Sequence, residues 1–144
     1  MNCSADDVYA VLGDGWLFGL WVVGTSRIRE VDDSWPAIGS GIHHSIGVWP
    51  LLLSDSTSVT ECRPGRSLSL LVRAWPAGEA KVVIELEPQP GGGCRVTITE
   101  DASTGPGRLI PALIRRPMLH WRNIEALRRL SYLAERREAA HPAV

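Results

Sequence analysis

SLSLLVRAWPAGEAKVVIELE, residues 67–87, alternates apolar and polar side chains on both sides of a Trp-Pro-Ala-Gly break. Leu68, Leu70, Val72 and Ala74 share one face against Arg73, and Val82, Ile84 and Leu86 share one face against Lys81, Glu85 and Glu87. A repeat of two is the mark of a strand, because successive side chains leave opposite faces. The link between the two runs is too short for a helical crossover, so they pair antiparallel.

Working outward, the same pattern recurs between turn signals near Pro36, at Pro50, at Arg63–Arg66, at Trp75–Ala80 and at Pro88–Cys94. Six strands are expected: about Ser26–Asp32, Gly41–Trp49, Leu52–Cys62, Ser67–Ala74, Ala80–Glu87 and Cys94–Asp101. In the last, Val96, Ile98 and Glu100 oppose Arg95, Thr97 and Thr99. One face is apolar and the other wet, which a sheet covered on one side requires.

Alternation also divides the adjacent histidines of GSGIHHSIGVWP, residues 39–50. It sends Ile42, His44, Ile46 and Val48 inward and His43, Ser45, Gly47 and Trp49 outward. Two imidazoles on opposite faces cannot ligate one ion or share one proton relay while the strand stays regular. A bulge at Gly41 or Gly47 would reverse that assignment.

The strands are flanked by helices. Ser4 with Asp6 and Asp7 is a helix start, a hydroxyl to cap free N–H groups and two carboxylates in the first turn, and the helix should run Ala5–Leu12. Gly13-Asp14-Gly15 breaks it, and Trp16–Val23 reads as a second short helix or turn. After Gly107, Leu109, Ile110, Leu113 and Ile114 form a first helical segment with Pro111 in its first turn. Pro117 permits a kink or a new start, and Met118 to about Arg137 reads as the longest helix. At 100° per residue Leu119, Ile124, Leu127, Leu130 and Ala134 fall on one broad side and Arg122, Glu125, Arg129 and Arg136 on the other.

Composition narrows the function. A chain of 144 residues reads as one domain, 1–144, able to bury roughly 70% of its unfolded surface without staples. A net charge of −1, from 15 basic and 16 acidic residues, does not suggest a nucleic-acid surface. The longest apolar run, Trp16–Gly24, is about half a membrane span. Cys3, Cys62 and Cys94 are scattered and odd in number, which argues against a disulfide framework or a CxxC site and for a reducing, cytoplasmic setting. There is no GxSxG, no cysteine activated by a nearby histidine and no paired-carboxylate signature, so hydrolysis is disfavoured.

The capped helix SADDVYAVLGDG, the Trp-rich link, the meander with its RPGR and WPAGEA turns, the closing VTITED strand and the helix NIEALRRLSYLAERR together resemble the SRPBCC superfamily, the START-like, polyketide cyclase/dehydrase-like group. The resemblance covers about residues 3–137. It implies an α+β helix-grip fold, a curved antiparallel sheet wrapped round a long C-terminal helix with an apolar cavity between. It further implies a hydrophobic ligand, lipid- or polyketide-like, and for some members cyclase or dehydratase chemistry. Members begin with a strand that leads into the first helix, whereas here only Met1 and Asn2 precede Cys3. The expectation is that the natural chain starts upstream or lacks this edge strand, leaving the Cys94–Asp101 edge open to a homodimer.

On that resemblance the cavity wall is drawn by Ile42, His44, Ile46, Val72, Ile84, Ile98 and Glu100 from the strands. Leu113, His120, Trp121, Ile124 and Leu127 come from the helix, with Trp21 at the mouth. His44 reads first as a neutral histidine satisfied by a hydroxyl, and second as a ligand partner or general base. His120 reads as packing before catalysis, and Glu100 as an acid/base candidate at a strand end. A metal held by His44, His120 and Glu100 lacks any spacing motif, so neither metal nor cofactor is expected. Binding of a hydrophobic or aromatic small molecule is the leading function. A cyclase- or dehydratase-type enzyme and a protein-interaction module using the sheet edge or the arginine-rich helix face remain alternatives.

Overall fold

The computed structural model describes residues 1–48, 50–74, 78–104 and 112–140. In chain order these form α1 (Ala5–Leu12), a 3-10 turn (Gly15–Leu17), α2 (Phe18–Trp21), β1 (Thr25–Val31), β2 (Gly41–Val48), β3 (Leu51–Arg63), β4 (Ser67–Ala74), β5 (Gly78–Pro88), β6 (Cys94–Thr104) and α3 (Ala112–Ala140). The strands make one sheet in the order β1-β2-β3-β4-β5-β6, every neighbour antiparallel. The curved sheet holds the long α3 in its concave side, so the α+β helix-grip architecture expected from the sequence is the one adopted. The expectations for Trp49, Trp75, Leu109, Ile110 and Pro111 lie outside the described residues.

Local chemistry explains the ends of α1. The Ser4 hydroxyl accepts from the Asp7 N–H at 3.1 Å while the Asp7 carboxylate accepts from the Ser4 N–H at 3.3 Å, a reciprocal cap. Ala5, Val8, Val11 and Leu12 turn inward. The Tyr9 hydroxyl lies 3.1 Å from Cys62 Sγ, tying α1 to β3. Gly15 is required by closeness: a Cβ there would sit 2.5 Å from Val31 Cγ1. The Gly-Asp-Gly break thus lets the link to α2 lie directly on β1.

The strand assignments hold, with β3, β5 and β6 each longer than the hydrophobic alternation indicated. The inward rows are the expected ones: Leu68, Leu70, Ile84 and Leu86 are buried, and Val72, Val82, Val96 and Ile98 pack against them. A register break between Val59 and Glu61 in β3 adds a local bend to a thirteen-residue strand.

Two expectations about the C-terminal helix need correction. It does not start again at Pro117; α3 runs unbroken from Ala112 to Ala140 through it. Proline there removes one bond to the carbonyl of Leu113, and both residues are exposed, so water can satisfy that carbonyl. The buried stripe is also turned by about one residue from the expected one. Ala126, Leu130 and Ala134 are buried and Leu133 packs on the core, whereas Ile124 is 53% exposed. Small residues at these buried positions allow close approach, and the closest backbone approaches of α3 are to α1 and α2.

Leu130 is wholly buried, so Leu130→Ala should lower unfolding free energy by about 2–5 kcal/mol. The exposed control Arg128→Ala should change it by less than about 0.5 kcal/mol. Urea unfolding of the two variants beside the parent checks this; equal losses would show that Leu130 is not part of the core.

Candidate functional site

A pocket of about 70 Å³ lies where α2 and α3 face the inner side of β4, β5 and β6. Its apolar wall comes from Phe18, Trp21, Val22 and Val23 on one side and Leu70, Val72, Val82 and Ile98 on the other. Glu100, Arg122, Asn123 and Ala126 complete it. The Arg122 guanidinium donates to the Glu100 carboxylate, whose side chain is only 9% exposed, so a charged pair closes one end of an apolar space. Strand position explains Glu100: it ends the inward row begun by Val96 and Ile98, and the carboxylate needs a cation because a buried unpaired charge is costly.

His44 is buried, at 1% exposure, on the inner face of β2, as alternation required. It stands behind the pocket rather than in its lining. Its Nε2 lies 3.0 Å from Thr57 Oγ1, and its ring packs on Phe18 with centroids 5.4 Å apart. Nδ1 is buried without a hydrogen-bond partner among the described residues. The economical tautomer carries its hydrogen on Nε2, since a bare Nδ1 lone pair costs less than a buried N–H without an acceptor. Protonation would create that orphan N–H in a dry site. Burial, then the charges of Arg29 and His43, push the histidine down to about 4. The first reading of His44, a neutral core histidine satisfied by a hydroxyl, is the one the geometry supports.

The remaining sequence candidates separate. Trp21, Val72, Ile98 and Glu100 line the pocket. Ile42 and Ile84 are core residues of zero exposure, and Ile46 is half-buried on β2. Leu127 lines a different groove, beside β6. Leu113, at 86% exposure, Trp121, at 65%, Ile124 and His120 face outward, not into the cavity. These four corrections share one cause, the rotation of the buried stripe. With His120 on the surface and Glu100 bound to Arg122, the described residues hold no cluster of three His, Cys, Asp or Glu that could bind a metal ion. Sequence reasoning put Arg122 on the solvent side. Its one available signal was that Ala126 and Ala134, not Ile124, mark the buried face of the helix.

The depressed His44 value sets a pH dependence. The folded state holds the ring neutral down to about 4, while the unfolded ring takes up a proton near 6.5. Its contribution to stability is therefore full above about 6.5 and is lost as the pH falls from there toward 4. The loss should be on the order of 2–3 kcal/mol. His44→Gln, which can still bond Thr57 without titrating, should show a flatter fall in unfolding free energy across that range. Parallel pH profiles for variant and parent would refute this assignment.

No protein-family model matches the chain, and no curated protein matches it in sequence. Solved structures do. Protein NE0264 from Nitrosomonas europaea is 21% identical with a TM-score of 0.71, over 96% of this chain and 92% of that one. The di-domain ARO/CYC StfQ from the steffimycin biosynthetic pathway is 17% identical with a TM-score of 0.67, over 96% of this chain and 49% of StfQ. Ara h 8.0201 is 11% identical with a TM-score of 0.64, over 92% of this chain and 91% of that one. At such identities the likeness is one of fold: the chain has the helix-grip fold of the START-like, SRPBCC group that its sequence resembles.

Proposed function

We propose that the chain binds a hydrophobic or aromatic small molecule, lipid- or polyketide-like, between the sheet and α3. The observation that supports this is the pocket itself: eight apolar side chains closed at one end by the Glu100–Arg122 pair. Apolar walls supply affinity and a few polar groups fix orientation. The pocket offers about 70 Å³, half of the roughly 150 Å³ that admits benzene in an engineered cavity. A larger guest therefore requires the lining side chains to move. No helix among the described residues is long and apolar enough to cross a membrane. The thiols of Cys62 and Cys94 fit a cytoplasmic site of action. A second copy of the chain, meeting the β6 side of the sheet, is the partner we pair with this ligand.

Catalysis of cyclase or dehydratase type ranks behind binding. The three acid–base candidates do not meet, and the buried, neutral His44 lies outside the pocket lining.

Native mass spectrometry and organic extraction of the purified chain should reveal a bound apolar molecule. Val82→Phe, which fills the pocket from β5, should remove it and weaken binding of an apolar fluorophore such as 1-anilinonaphthalene-8-sulfonate about tenfold or more. An empty protein whose weak dye binding ignores Val82→Phe would sink the proposal.

A further inference from the structure

We infer that the outer face of α3 docks on an anionic lipid bilayer, the helix lying along the surface with Trp121 and Ile124 seated among the headgroups. This goes beyond the proposed ligand and needs nothing from it.

The first observation is where α3 carries its large apolar side chains. At 100° per residue Trp121 stands diametrically opposite the buried Leu130, and Leu113, Pro117, Ile124 and Tyr132 share its outward side. All five are exposed. From Leu113 to Ile124 they make a ridge about 16 Å long. One apolar residue in water needs no explanation, but a row of large ones along one side of one helix marks a contact.

The second observation is charge. The helix carries seven arginines and three glutamates, while the rest of the chain carries eight basic and thirteen acidic residues. A chain that is nearly neutral as a whole is therefore a net-positive helix on a net-negative body. From Ala112 to Ile124 the helix has three arginines and no acid. Beyond it, Glu125 meets both Arg128, at 3.9 Å, and Arg129, at 2.8 Å, so one carboxylate serves two guanidiniums and a positive charge is left over. Arg128 lies on the outer face, one turn past Ile124, with its side chain in water. Arg136 sits over the Tyr132 ring, 4.2 Å from its centre.

Together these choose the occupant. Trp, Leu and Ile on one side of a helix with arginines beside them suit the headgroup layer, where the apolar groups reach the acyl boundary and the guanidiniums stay with the lipid phosphates. A second copy brought to this face by a two-fold axis would set one net-positive helix against another. The inner side of the same turns lines the pocket with Arg122, Asn123 and Ala126, so docking would hold the pocket close to the bilayer.

Flotation tests this. Vesicles of phosphatidylcholine with about a third phosphatidylglycerol should carry the full chain upward, and vesicles of phosphatidylcholine alone should leave most of it behind. Trp121→Ala combined with Ile124→Ala should weaken binding to the anionic vesicles about tenfold or more, and Arg128→Glu about fivefold. Circular dichroism should stay unchanged, because all three side chains are exposed. Ile38→Ala, which removes an exposed apolar side chain from the β1–β2 connection, should float like the parent. A chain that does not float with anionic vesicles, or flotation indifferent to the α3 variants, overturns the inference. So does a dimer, seen by sedimentation without vesicles, that the double alanine variant dissolves, since a second copy would then cover this face. Val82→Phe separates the two readings: it should lose the ligand and keep the vesicles.

Discussion

The burial of Ala126, Leu130 and Ala134 of α3 in the core is the constraint on which the molecule depends. The inner rows of β4 and β5 are built from leucine, isoleucine and valine, and they need cover along their whole length. A helix can lie on them only where its own side chains are short. Leu130 between the two alanines fills the deepest part, and α1 and α2 close the remaining side with Val8, Val11, Phe18 and Trp21. The pocket exists because Ala126 and Asn123 leave space opposite Val72, Val82 and Ile98.

That contact also accounts for what the sequence did and did not disclose. Strand alternation is a property of each strand alone, so the inward rows, the position of His44 and the antiparallel order were legible from residues 41–101. Helix phase is different. Ile124 and Leu127 are the larger apolar residues on the C-terminal helix, and a hydrophobicity count turns the helix to bury them. What decides the phase is the shape of the partner surface, which rewards alanine. The misplacement of Leu113, His120, Trp121 and Ile124 and the missed role of Arg122 follow from that one rotation. Pro117 was over-read for a similar reason: a proline near the start of a helix whose freed carbonyl faces water costs little.

The two buried polar arrangements are solved in different ways, and the difference bears on chemistry. Glu100 accepts from Arg122 of α3, so the pair both lines the pocket and fastens the helix to β6. His44 gives up its charge and settles for Thr57 and the face of Phe18. An acid–base pair would require these groups to share one space. Here they belong to opposite halves of the sheet, one in β2 and one in β6, with the apolar lining between them.

Seating α3 by its alanines has a further consequence. The helix carries more large apolar side chains than its inner face buries, and the excess, Trp121 and Ile124, stays exposed. The pocket is lined from the inner face of the same helix, by Arg122, Asn123 and Ala126, so a ligand there leaves that exposed flank untouched.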